Sequence, residues 1–315
     1  MNKNMENKNT IPIAIVVAGI LISGGVFFGG KNPQSSVTTQ LASVSALERT
    51  VLPTNGVELP VSWGDLGVQL VRSGAIDEVK FKAIYEGRGQ FTQENKQLLT
   101  GDNVGKLRIT KDNAGYLLNL FWALGLASKN PILDSGEMTD SRYGGAQNFA
   151  STGGWTIAQG NVMNHYSRHV FFDLTPEQQS LVDKISRGIY RPCCGNSTHF
   201  PDCNHGMAML GLLELMASQG VSEQEMWDAA LAVNSYWFPD TYMTIATYMK
   251  DRGVGWKDVN PQEMLGANYS SAQGYTRIAS QVTAPSSSSS GGGCGVDAGI
   301  PVSAPAPKQQ GGCGI

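Results

Sequence analysis

Tyr116-Leu117-Leu118-Asn119-Leu120-Phe121-Trp122-Ala123-Leu124-Gly125-Leu126 is apolar on nearly every face of a helical wheel. A helix of that kind is enclosed by other elements rather than laid on a surface, so this segment is expected at the centre of the core. Asp112 or Asn113 can cap its start. Working outward, Met207 to Ser218 reads as a second strongly apolar helix, closed by Gly220. Thr175-Pro176-Glu177-Gln178 opens a helix with a capping box, and its apolar face is Leu181, Val182, Ile185 and Ile189, with Pro192 as the stop. Ser222 with Glu225 is another capping box, starting a helix through Met226, Ala230 and Val233 that Pro239 breaks. Ser62 is read as the cap of a helix from Trp63 to Val71 that ends near Gly74, and a short helix follows from Asp77. A last pair spans 242–250 and 261–265. No alternating strand pair and no repeat is read, so the fold class expected for residues 51–283 is a mainly α domain.

The chain has 315 residues, 41% hydrophobic, 16% charged, with net charge −3. That supplies one good-sized core and excludes the strong basic patch that nucleic-acid binding requires. Five cysteines are too few for a small disulfide-stapled scaffold, and the odd count leaves at least one thiol free, intermolecular or metal-bound.

Residues 11–29, IPIAIVVAGILISGGVFFG, carry no charge. Nineteen residues at a helical rise of about 1.5 Å nearly cross a hydrocarbon core of about 30 Å. Lys3 and Lys8 precede the run and Lys31 follows it. The expectation is a single-pass anchor with residues 1–10 cytoplasmic and the bulk of the chain extracytoplasmic, at the cell membrane. The competing reading is a cleaved signal peptide, for which Phe27 to Lys31 offers a poor small-x-small site. Residues 30–50 read as a tether. Residues 284–315 are rich in Ser, Gly and Pro and are expected to be disordered, yet they carry Cys294 and Cys313 in glycine settings. Those thiols are candidate attachment points for a protein partner.

Residues 129–160 read as a long irregular stretch holding the pairs Gly144-Gly145 and Gly153-Gly154. A phosphate loop is excluded there, because no Lys-Ser/Thr follows and no strand precedes.

All four histidines and three of the five cysteines fall between His165 and His205. Cys193, Cys194, His199, Cys203 and His205 give five candidate ligands within thirteen residues, enough for a tetrahedral or trigonal metal site, with Asp202 placed to orient an imidazole. The spacing is neither that of a zinc finger nor the CxxCH of c-type haem. His165 and His169, at i and i+4 on an expected helix, are secondary candidates. Tyr166 stands where a zinc protease keeps its general base, so that activity is excluded. Met163, Met207 and Met209 lie nearby, and soft thioethers with thiolates suit copper. Three readings remain open: a transition-metal site for zinc or copper, a structural disulfide joining Cys193 or Cys194 to Cys203, and a reactive thiol with a histidine base.

Pro192-Cys193-Cys194-Gly195, then His199, then Asp202-Cys203, resembles the signature of extracytoplasmic bacterial proteins with a PCYCGC motif. One residue is missing between the first two cysteines, and Asn196 stands at the third. The resemblance covers about a dozen residues and implies an extracytoplasmic location and metal handling rather than a reaction. More broadly, residues 57–282 resemble an uncharacterised prokaryotic membrane-anchored domain family. The expected function is metal storage or delivery through Cys193, Cys194, Cys203 and His205, with His199, His165 and His169 as further ligands. The alternatives are a surface interaction module and a thiol oxidoreductase.

Overall fold

Two apolar helices cross at the centre of the fold, and their contact has no side chain between the backbones. The computed structural model describes residues 45–282. The expected anchor over 11–29, most of the tether, and the tail with Cys294 and Cys313 lie outside the described residues. In chain order the elements are α1 (45–51), β1 (Val57–Gly64), α2 (Leu66–Ser73), α3 (Glu78–Glu86), α4 (Gln93–Thr100) and β2 (Asn103–Ile109). Then come α5 (Ala114–Ala127), α6 (Pro131–Ser135), α7 (Ala150–Gly153), α8 (Pro176–Gly188) and α9 (Asn204–Ser218). The chain closes with α10 (Glu223–Trp237), α11 (Pro239–Lys250), α12 (Pro261–Leu265), α13 (Ala267–Ser270) and α14 (Ala272–Ala279). The protein is mainly helical, as the patterning predicts. No helix among the described residues is long and apolar enough to cross a membrane.

Helix α5 is buried at every residue except Gly115, and α9 at every residue except Ser218. They pack on each other, with α8 and α10 against α9. A methyl group on Gly125 would be driven into the carbonyl oxygen of Met207, and one on Gly211 would lie 2.5 Å from the carbonyl oxygen of Phe121. The two glycines therefore let the helix backbones touch. Around them Trp122 donates to the carbonyl of Ser151 at 2.6 Å, and Asn119 donates to the Tyr85 hydroxyl at 2.7 Å, so the polar groups on α5 tie it to its neighbours.

Most helix starts follow the caps read from the sequence. Asp77 accepts from the amides of Val79 and Lys80. Both capping boxes form, Thr175 with Gln178 and Ser222 with Glu225. Gly74 closes α2 in the left-handed region at φ 79°. Some boundaries differ from expectation: the helix expected over 242–250 already begins at Pro239, which sits in its first turn, and two more bear on the site. Helix α8 stops at Gly188, ahead of Pro192, and α9 begins at Asn204 rather than Met207. The early start of α9 places His205 inside a helix.

The expected helix from Trp63 is corrected: Val57–Gly64 is a strand, paired antiparallel with Asn103–Ile109 in the register Val57 to Ile109 and Glu58 to Arg108. Leu59, Val61 and Trp63 alternate into the core while Glu58 is exposed. Helix α2 starts only at Leu66, after Asp65. Pro60 obscures the strand in the sequence, but a two-stranded sheet is all edge and tolerates a missing donor. Trp63 is anchored through its indole N–H to the carbonyl of Leu98 at 2.7 Å.

Glu214 is the one carboxylate in α9, and it is 1% exposed. Burial pushes it up to about 8, against hydrogen bonds with Ser128 and Asn130 that favour the anion. The folded chain thus keeps a proton that the unfolded chain releases above the ordinary glutamate range. This contribution to stability is complete at low pH and is lost as pH rises toward about 8, at about 1.4 kcal/mol per pH unit.

Two outcomes follow from this core. Gly211→Ala gains about 1 kcal/mol of helix propensity but forces the crossing apart at a cost of about 1–3 kcal/mol or more. A lowered Tm by calorimetry is expected; an unchanged or raised Tm refutes the close contact. Across pH 5 to 8, urea midpoints of the native chain should fall relative to those of Glu214→Gln, and parallel curves would show that Glu214 ionises normally.

Candidate metal centre

The segment from Ile189 to Cys203 joins the end of α8 to the start of α9 and is folded around one guanidinium. Tyr190 and Ser197 form an antiparallel bridge, and the amide of Thr198 donates to the carbonyl of Ile189 at 2.8 Å. Between these, Arg191 is completely buried. It donates to the carbonyl of Asn196 at 3.1 Å, to Asp202 Oδ1 at 2.7 Å, and toward Cys203 Sγ at 3.5 Å. Asn196 Nδ2 holds the other carboxylate oxygen of Asp202 at 2.8 Å. Gly206 makes room for this arrangement, because a methyl group there would lie 2.7 Å from Arg191 Cζ. A charge this deep persists only when paired, and Asp202 is its partner.

The three sulfurs gather beside that pair. Cys193 Sγ and Cys203 Sγ are 3.6 Å apart. Cys203 is fully buried at the N-cap of α9, and His205 follows in the first turn. Ligand atoms of Cys193, Cys203 and His205 all lie within 4.8 Å of one another, and those of Cys194, Asp202 and Cys203 form a second such group. These residues could hold a metal ion. Cys203 belongs to both groups.

The charge distribution singles out the same residue. Hydrogen bonds from the Cys193 and Cys194 thiols, helped by Arg191 and His205, hold the Cys203 thiol well below the ordinary thiol range despite burial. The cost falls on the donors. Cys193 is pushed up by its hydrogen bonds to Cys194 and Cys203 and by burial. Cys194 is pulled down by Cys193 but pushed up more by Cys203 and burial, to about 12. The cluster therefore favours the thiolate at Cys203 over its two neighbours, with a fixed cation alongside.

His205 is buried, with Nδ1 lacking a hydrogen-bond partner. Its ring packs on Phe238 with centroids 4.4 Å apart and on the edge of Trp237 at 5.8 Å. Cys193 and His205 also line a cavity of about 350 Å³ walled by Pro192, Trp237, Phe238 and Pro239. Cys193, only half-buried, is the sulfur that this cavity reaches.

The remaining expected ligands are placed elsewhere. His199 turns toward α8: its Nε2 is 2.9 Å from Asp183 Oδ1 and 2.7 Å from the Arg187 guanidinium. Arg187, with His199 adding to it, holds Asp183 below the usual carboxylate range. His165 and His169 are not on a helix. A 3-10 turn ends at Asn164, and Ser167 adopts φ +51°, which interrupts any helical path. The two imidazoles still meet, Nδ1 of His165 to Nε2 of His169 at 3.2 Å, and His165 Nε2 is committed to the carbonyl of Gln159 at 2.8 Å. Burial, then His165, lowers His169. None of these three histidines belongs to a group of three ligand-capable side chains among the described residues. Met207 and Met209 are core residues of α9. Sequence reasoning missed Arg191; its one visible signal is a lone arginine between Tyr190 and Pro192, immediately before the cysteine pair.

No protein-family model, no curated protein and no solved structure matches the chain.

Arg191→Met strands the Asp202 carboxylate in the interior, so it should lower the unfolding free energy by about 3–5 kcal/mol. Pairing it with Asp202→Leu should recover most of that loss. Urea denaturation of the single and double variants checks the pair, and an unaffected single variant would remove Arg191 as the organiser of the loop.

Proposed function

We propose that this chain is a membrane-anchored, extracytoplasmic protein that holds one zinc or copper ion through Cys193, Cys203 and His205, as a store or carrier. Cys194, grouped with Asp202 and Cys203, is the reserve ligand. The observation that supports this reading most is the 3.6 Å separation of the Cys193 and Cys203 sulfurs with the His205 imidazole beside them. Two thiolates at about 2.3 Å from a tetrahedral ion are about 3.8 Å apart, so the pair already stands near that spacing. A disulfide needs no imidazole, whereas the unpartnered Nδ1 of His205 gives the histidine a reason to be buried there.

Two sulfurs and one imidazole suit the borderline and soft ions. Cys203 is poised as the first ligand, since it loses its proton most readily. Metal binding then draws the proton from Cys193 as well. The Arg191 cation, 3.5 Å from Cys203 Sγ, offsets the second negative charge. The cavity at Cys193 supplies a route by which an ion enters and leaves, which a store or carrier needs. The apolar run over 11–29 is the basis for the anchor and for the location outside the cytoplasm.

Zinc(II) and copper(I) titrations of the reduced full chain, with a chromophoric competitor, test this. One ion per chain is expected, with affinity reduced more than about 100-fold in Cys203→Ser and Cys193→Ser. A His165→Ala/His169→Ala variant should bind as the native chain does. Absence of binding to the reduced chain, with a Cys193–Cys203 bridge in non-reducing mass mapping, would replace the metal with a structural disulfide.

A further inference from the structure

A tetrahedral zinc ion takes four ligands, and Cys193, Cys203 and His205 supply three. Two of them, Cys193 and His205, line the cavity of about 350 Å³, while Cys203 is fully buried. An ion held by the three therefore has its fourth position on the cavity side. Among the described residues no further ligand atom joins that group within 4.8 Å. Asp240 lines the cavity but falls outside the group. Cys194 is turned elsewhere: its thiol is directed at the carbonyl of Asn196 and the carboxylate of Asp202, each at 3.9 Å.

Few soft ligands remain in the chain. All four histidines lie between His165 and His205, and residues 1–44 hold neither a histidine nor a cysteine. The two thiols left are Cys294 and Cys313, both beyond Val282.

The root of that tail stands at the site. Helix α14 is tied to the thiol loop where the amide of Ala272 donates to the carbonyl of Cys194 at 2.9 Å, and its Tyr275 forms part of the cavity wall. A methyl group on Gly274 would be driven into the carbonyl of Ala267, so α14 sits hard against α13. At the far end Val282 is buried, and Gln281 accepts from the Arg252 guanidinium at 3.1 Å. The point of departure of residues 283–315 is thus fixed, seven residues beyond Tyr275 and about 10 Å from it at a helical rise. Cys294 follows after twelve residues, which span up to about 40 Å. Cys313 follows only after thirty-one, so returning it costs more loop-closure entropy. Gly293 and Gly295 flank Cys294, so no neighbouring side chain competes with it for room in the cavity.

We propose that the tail folds back over Tyr275 and that Cys294 enters the cavity beside Cys193 and His205 to complete a three-cysteine, one-histidine zinc site. This rests on the metal reading above and names both the ion and its fourth ligand. The Cys294 thiol gives its proton to solvent as its sulfur bonds the ion. Supplied from the same chain, that sulfur acts at a high effective concentration. The tail is then a latch: attached, it closes the one side of the ion that the folded domain leaves open, and detached, it opens the cavity again.

The test is iodoacetamide labelling of the reduced full chain, with and without one equivalent of zinc(II), read by peptide mass mapping. Zinc should slow alkylation of Cys294 at least 10-fold and leave that of Cys313 unchanged, and tenfold dilution of the chain should not alter the protection. Cys294→Ser should lower zinc affinity about 100-fold, while Cys313→Ser binds as the native chain does. With cobalt(II) in place of zinc, thiolate charge-transfer absorption should fall by about one third in Cys294→Ser, as three thiolates become two. Tight zinc binding with Cys294 alkylated as fast as Cys313 overturns the tail ligand and leaves the three-ligand site standing. Protection lost on dilution assigns the thiol to a second copy and overturns closure within one chain. A native chain that binds no zinc overturns the metal reading, and this proposal with it.

Discussion

The crossing of α5 and α9 at Gly125 and Gly211 is the constraint from which the rest of the molecule is arranged. Backbone contact brings two almost wholly buried helices close enough to exclude any intervening side chain. Helix α9 is thereby fixed along its length, and its first turn, with Cys203 and His205, is fixed with it. The thiol loop is also held by backbone hydrogen bonds to Ser151, Ser186, Leu265 and Ala272, and from within by the Arg191–Asp202 pair.

The buried arginine also sets the sulfur chemistry. Three thiols close together in an apolar interior would each keep a proton, since burial opposes a thiolate. A guanidinium at 3.5 Å and hydrogen bonds from its two neighbours let Cys203 alone depart from that rule. The asymmetry would matter for the proposed ion, which a carrier must both capture and release. The deep sulfur is shielded, while the half-buried Cys193 lines the cavity and would be the ligand to release the proposed ion.

Much of the fold was legible because its signals are local. Capping boxes at Thr175 and Ser222 and the stop at Gly74 depend only on neighbouring residues. The strand at Val57–Gly64 was not legible, because Pro60 and Ser62 resemble a helix entrance and its alternation spans only Leu59, Val61 and Trp63. The loop was found from ligand density, and three of its residues do converge. Which histidines join them depends on side-chain direction: His199 was drawn off by Asp183, and the His165–His169 pair was turned aside at Ser167. Glu214 stood in plain view as the lone carboxylate of MAMLGLLELMAS, but its meaning depends on burial that only packing reveals.

Helix α9 carries both the first-turn sulfur and imidazole and a buried carboxyl. Cys203 and His205 sit at the head of α9 and Glu214 lies nine residues beyond His205, about 14 Å along the axis. The glycine crossing lies between them and pins the rod, so it can neither slide nor rotate without opening the core. An event at the thiol end can therefore reach the carboxylate end only by changing how far the first turn frays. An ion clamped across Cys203 and His205 would suppress that fraying, so the stiffness of the helix, rather than its position, is the quantity the two ends share.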